Sequence, residues 1–121
     1  MPIIMKVDHE RKEVDCVAVG PISYSDVVNH LLAERNFKGL AYKEFVDARG
    51  AGLVWTPEQG RQIVGLIRSF SKESSLGPTA VLVSSDVAFG VMRMLEILVE
   101  DVCEVKPFRD EQDARAWLAM R

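Results

Sequence analysis

Apolar and polar residues alternate from the start of the chain: Ile3, Met5 and Val7 fall on one side of an extended backbone, with Lys6 and Asp8 on the other. A charged turn, His9-Glu10-Arg11-Lys12, separates this run from a second apolar one, Val14 to Val19, so the pair predicts a β-hairpin. Gly20-Pro21 is expected to break the second strand. The period then lengthens. Val27, Val28, Leu31 and Leu32 share one side of a helix that Ser23 or Ser25 can cap and that ends near Asn36. Tyr42 to Ala48 predicts a third strand, with a turn at Gly50 and Gly52. Thr56-Pro57-Glu58-Gln59 is a capping box with proline at the first helical position, and Ile63, Leu66, Ile67 and Phe70 follow at helical spacing. After Gly77-Pro78, the uniformly apolar Ala80 to Val83 predicts a central strand covered on both faces. A very apolar helix, Val87 to Val99, leads to an alternating strand, Cys103 to Phe108. Asp110 then caps a last helix packing through Ala114, Trp117 and Leu118.

The order ββαβαβαβα predicts an α/β fold with a mostly parallel sheet and an antiparallel first strand, because parallel neighbours need a crossover and the helices supply it. With no linker or repeat, residues 1–121 are expected to form a single domain, and at 48% hydrophobic the chain can build a core without disulfide or metal. The net charge of -3, with lysines and arginines interspersed among acids, leaves no positive field for nucleic acid. No apolar run approaches the ~20 residues of a membrane span, and the amino terminus meets Lys6 before any stretch of signal-peptide length. The expected location is therefore the cytoplasm. Cys16 and Cys103 lie far apart and outside any C-x-x-C spacing, which reads as two buried small hydrophobes with no redox or metal role. His9 falls in the hairpin turn and His30 on the polar side of its helix, so neither a catalytic nor a metal pairing is expected, and no cofactor is implied.

The element order and the strings EFVDARG at 44–50, VSSDVAFGVMRMLEIL at 83–98 and FRDEQDARAWL at 108–118 resemble the STAS-like proteins. These share the fold of the anti-sigma factor antagonists (the SpoIIAA-like fold), and the chain looks most similar to the small bacterial STAS/SEC14-domain branch. The resemblance implies a regulatory protein-binding module. Antagonists of this fold carry an Asp-Ser-x-Gly type motif, phosphorylated on serine, at the start of the second helix. An ungapped reading from Asp47 puts Trp55 in place of that aspartate and Thr56 or Pro57 in the serine region.

Ligands of open α/β sheets sit outside the carboxyl ends of the parallel strands, so the candidate cleft comprises Ser23, Tyr24, Arg49, Trp55, Thr56, Ser84, Ser85 and Asp86. Arg49 beside a helix start at Thr56 suits a carboxylate or phosphate, although capping alone accounts for Thr56. Gly50-Ala51-Gly52 lacks the spacing of a dinucleotide loop. Ser84-Ser85-Asp86 supplies a hydroxyl and an acid with no histidine nearby in sequence, so a cap is expected there and a serine hydrolase is not.

Of residues 87–99 only Gly90, Arg93 and Glu96 are not apolar, more than one buried face requires. Val87, Val91, Met94, Leu95 and Leu98 are assigned to the core, leaving Phe89, Arg93 and Ile97 outward as a candidate interface. The first functional reading is a non-catalytic interaction module, homodimeric or bound to a protein partner. The second is a binder of a small apolar or amphipathic ligand, with Trp55, Phe89, Met92 and Met94 lining its pocket.

Overall fold

β1 (Ile3–Asp8) and β2 (Glu13–Ile22) pair antiparallel, Ile3 opposite Ala18 and Asp8 opposite Glu13, in the computed structural model, which describes residues 2–121. Asp8 Oδ1 accepts from the backbone amides of Glu10 and Arg11, and Lys12 takes a left-handed φ of 56°, which together turn the chain back on itself. The remaining elements are α1 (Tyr24–Asn36), β3 (Lys43–Leu53), α2 (Pro57–Ser71), β4 (Thr79–Leu82), α3 (Asp86–Val99), β5 (Val105–Phe108) and α4 (Glu111–Ala119). The expected order ββαβαβαβα is the observed one.

The five strands lie in sequence order, β1-β2-β3-β4-β5, parallel from β2 onward. Each crossover therefore steps one strand in the same direction. Right-handed connections then put α1, α2 and α3 side by side on one face of the sheet, α1 against α2 and α2 against α3. α4 follows the last strand and covers β3, β4 and β5 from the opposite face. The core divides accordingly. Ala18, Ile22, Ile63, Ile67, Val81, Val83, Met92 and Val99 pack under the three crossover helices, while Phe45, Ala80, Leu82, Ala114 and Leu118 pack under α4. β4 serves both cores, which is why Ala80, Val81 and Leu82 are all apolar.

Two turn expectations are corrected. β2 continues through Gly20-Pro21 to Ile22, and Gly50 and Gly52 lie inside β3. A register shift between Val17 and Val19 and a φ of +78° at Gly20 bend the strand, after which Gly20 to Ile22 pair with Ala51 to Leu53. β1 has ended by then, its last bond on this side running from the Val19 amide to the Pro2 carbonyl, so Pro21 is tolerated where one edge of β2 is open.

The rotation of α3 is also corrected. Ala88, Met92 and Val99 are buried and Leu95 packs against them, whereas Val87, Met94 and Leu98 are exposed. The buried stripe follows i, i+4, i+7, i+11 from Ala88, whose small side chain faces the core. A helix apolar nearly all round carries no polar face to set its own rotation.

Candidate functional site

The residues expected at the strand ends occupy separate positions, most of them engaged in holding the fold. Ser23 caps α1 in a capping box with Asp26, and the adjacent Tyr24 packs on the core. Thr56 Oγ1 accepts from the Gln59 amide at 3.1 Å while Gln59 Oε1 accepts from the Thr56 amide at 2.9 Å. Arg49 is gripped by Asp47, with Nε and Nη2 donating at 3.0 and 2.8 Å, and also faces Glu111 at the start of α4. That ion pair lowers the Asp47 pKa, chiefly through the side-chain hydrogen bond. Ser84 Oγ donates to the Arg49 carbonyl at 2.7 Å, tying the β4 end to β3. Ser85 caps α3, and Asp86 pairs with Arg109. The ordered succession of strands gives this sheet no topological switch point, the feature that opens a crevice at strand carboxyl ends in other α/β folds.

A groove runs between α2 and α3. Trp55, Pro57 and Val64 form one wall and Val91, Met94 and Leu98 the other, enclosing about 350 Å³ in a channel open to one side. Trp55 and Thr56 thus reach this groove, unlike the rest of the expected cleft. Arg68 of α2 donates to both carboxylate oxygens of Asp101 and to the carbonyl of Leu98, a residue of the groove, each at 2.8 Å. Of the expected interface residues, Ile97 is 53% exposed. Phe89 is half-buried with the Arg109 guanidinium 4.4 Å from its ring centroid, and Arg93 pairs with Glu96.

The cluster that sequence reasoning missed lies beneath α1. His30 is largely covered, its side chain 12% exposed, rather than on a polar helix side. Its Nε2 stands 2.6 Å from Glu34 Oε1 and 3.0 Å from Glu44 Oε2. Cys16 Sγ lies 3.2 Å from Glu44 Oε2 and 3.8 Å from His30 Nε2, and Thr79 Oγ1 donates to the other Glu44 oxygen at 3.2 Å. Val14, Cys16 and Ala18 of β2, with Glu44 and Val46 of β3, point toward α1 by strand alternation. His30 and Glu34 are one helical turn apart and therefore meet on one face. The signal in the sequence was slight: a carboxylate at an inward strand position and a His-x-x-x-Glu spacing.

The electrostatics follow from one imidazole between two buried carboxylates. Burial alone would raise the Glu44 carboxyl, but hydrogen bonds from its neighbours, His30 foremost, bring it down to about 2. Burial and the nearby Glu44 charge raise Glu34 well above the usual carboxylate range. Burial opposes the His30 charge, yet the surrounding hydrogen bonds and the Glu44 carboxylate raise its pKa. Burial pushes the Cys16 thiol up. Glu34 Oε1, although close to His30, makes no hydrogen bond of acceptable geometry.

No protein-family model matches the sequence, and no curated protein matches it. Among solved structures, the chain is similar to an uncharacterised protein of the DUF3478 family with a SpoIIAA-like fold from Shewanella loihica PV-4. The TM-score is 0.61 at 18% identity, covering 96% of this chain and 93% of that one. It is also similar to the anti-sigma factor antagonist SpoIIAA in its unphosphorylated form, with a TM-score of 0.56, 13% identity, and coverage of 98% and 97%. The shared property is the fold: this chain has a STAS-like, SpoIIAA-like architecture. Among the described residues, no helix is long and apolar enough to cross a membrane.

Proposed function

We propose that residues 1–121 act as a single STAS-like domain, a non-catalytic bacterial regulator in the cytoplasm that pairs with a second copy of itself through the α2–α3 face. The observation that carries this is the exposure of Val87, Met94, Ile97 and Leu98 on α3 beside an apolar groove. Unpartnered apolar surface of this kind marks an interaction site. The charges around it are already paired within the chain: Arg61 with Glu58, Arg68 with Asp101, and Arg93 with Glu96. These pairs leave the face little free charge to select an oppositely charged partner, and it holds both a ridge and an adjoining groove, as a two-fold contact between identical surfaces requires. The regulatory part of the reading rests on fold likeness to an anti-sigma factor antagonist.

A small apolar ligand is the second reading, supported by the lining of the same groove. Ligand sites bury some 70–90% of a small molecule's surface, and a channel open along one side does so less well than a second protein would. Sedimentation of the wild type against a Met94→Glu, Ile97→Lys double variant tests the proposal, with circular dichroism as the control for folding. A dimeric wild type and a monomeric, folded variant are expected. A wild-type monomer, or a variant dimer of unchanged affinity, overturns the assignment of this face. A co-purified small molecule seen by native mass spectrometry on a monomeric chain transfers the groove to the second reading.

A further inference from the structure

The buried cluster under α1 has the composition and spacing of a metal site. Its donors are one thiol, one imidazole nitrogen and two carboxylates, from three elements: Cys16 on β2, His30 and Glu34 on α1, and Glu44 on β3. The sulfur, the nitrogen and a Glu44 oxygen lie within 4.8 Å of one another. Zinc bonds nitrogen and oxygen at about 2.0–2.2 Å and sulfur at about 2.3 Å, so tetrahedral ligand atoms stand roughly 3.3–3.6 Å apart. The observed separations are 3.0 Å for His30 to Glu44, 3.2 Å for Cys16 to Glu44 and 3.8 Å for Cys16 to His30. Glu34 Oε1, at 2.6 Å from His30 Nε2, stands closer than two ligands of one tetrahedral ion do, and the pair must part by about 1 Å to share a zinc.

The second observation is independent of spacing. Glu34 Oε1 is buried without a hydrogen-bond partner, on a residue only 5% exposed, and it is directed into the cluster beside His30 Nε2. Its ion-pair neighbour His30 Nε2, at 2.6 Å, makes no well-aligned hydrogen bond with it, and a buried carboxylate oxygen so poorly matched calls for a reason. A cation coordinated by it supplies one.

We propose that Cys16, His30, Glu34 and Glu44 form a four-coordinate site for Zn2+. The mixture of thiolate, imidazole and carboxylate suits zinc among the common divalent ions, whereas calcium and magnesium prefer all-oxygen sets. Four protein ligands with no open position make the site structural: it ties α1 to the sheet and leaves no coordination place for a reacting water. Thr79 Oγ1, donating to the remaining Glu44 oxygen, holds that carboxylate in its orientation.

The test uses the full chain stripped with chelator and dialysed, titrated with Zn2+ against a chromophoric chelator and, separately, with Co2+ followed by absorption. The expected results are one equivalent of zinc per chain and a sulfur-to-cobalt charge-transfer band. Cys16→Ser is expected to abolish the band and Cys103→Ser to leave it. Glu34→Gln, which keeps the side-chain shape but replaces a carboxylate ligand by an amide, is expected to weaken zinc at least tenfold. No binding above that of a chain with Cys16, His30 and Glu34 all replaced overturns the site. So does a band that survives Cys16→Ser, or zinc affinity unchanged in Glu34→Gln. The outcome is independent of whether the α2–α3 face pairs.

Discussion

His30 Nε2, carried by α1, lies 3.0 Å from Glu44 Oε2, carried by β3, and this buried ion pair fastens the first crossover helix to the sheet. Removing either partner leaves the other as an uncompensated buried charge. Glu44→Ala and His30→Ala are each expected to cost about 3–5 kcal/mol in the metal-free chain. Glu34→Gln, at a carboxyl whose pKa burial raises and whose shape the amide keeps, is expected to cost under about 1 kcal/mol. Urea denaturation of the three variants reads the ordering directly. A Glu34→Gln loss as large as that of Glu44→Ala would contradict the assigned charges.

Gly77 sits where the chain enters β4, and its amide donates to the Leu40 carbonyl at 2.8 Å. A Cβ there would lie 2.1 Å from the Tyr42 carbonyl oxygen and 2.7 Å from that of Ala41. Both are backbone atoms that cannot turn aside. Gly77→Ala is expected to destabilise by about 1–3 kcal/mol or more, the cost of overpacking. Gly52→Ala, which meets open space, is expected to stay within about 0.5 kcal/mol of wild type. Thermal denaturation of the pair separates steric exclusion from a general glycine effect.

Thr56 is expected to act as a cap. Thr56→Ala should cost about 1 kcal/mol, because the Gln59 amide loses its acceptor, while Thr56→Ser keeps the hydroxyl and stays near wild type. Chemical denaturation measures both. A partner kinase that modified Thr56 stoichiometrically and switched binding would show that the hydroxyl has a second role.

Cys103 is raised from 9.0 to about 11, first by burial and then by the charge of Asp101. At pH 8 its reactive thiolate is then about one part in a thousand. Alkylation of the native chain by iodoacetamide at pH 8 is therefore expected to be slow at Cys103, and slow at Cys16, whose thiol burial also pushes up. The rate at Cys103 should climb with pH toward 11. The sign for stability follows: the folded state holds this proton more tightly than the unfolded one, so the contribution is present below pH 9 and is lost as pH rises from 9 to about 11. Peptide mapping after timed labelling checks the first claim, and denaturation across that range checks the second.

Local chemistry made most of the fold legible. The Thr56-Pro57-Glu58-Gln59 box marks a helix start from four consecutive residues, and the period-two pattern of Ile3 to Asp8 needs only its own neighbours. The candidate site was less legible. Arg49 and Thr56 were expected together, but Arg49 is captured by Asp47 two residues back and by Glu111, which is 62 positions away. His30 was expected on a polar helix side because helical periodicity counts its apolar neighbours and carries no information about an acid arriving from a strand.

The sequence by itself determined the element order, the caps and the parallel character of the sheet, since each depends on interactions among residues a few positions apart. Tertiary structure decided three things. It set the rotation of α3, because a helix apolar on nearly every side has no preferred face until Ala88 meets the core. It carried β2 past Gly20-Pro21, because β3 offered a pairing edge there. And it gathered Cys16, His30, Glu34 and Glu44 into one buried cluster, because strand register and helix docking, which join residues up to 28 positions apart, determine which side chains converge.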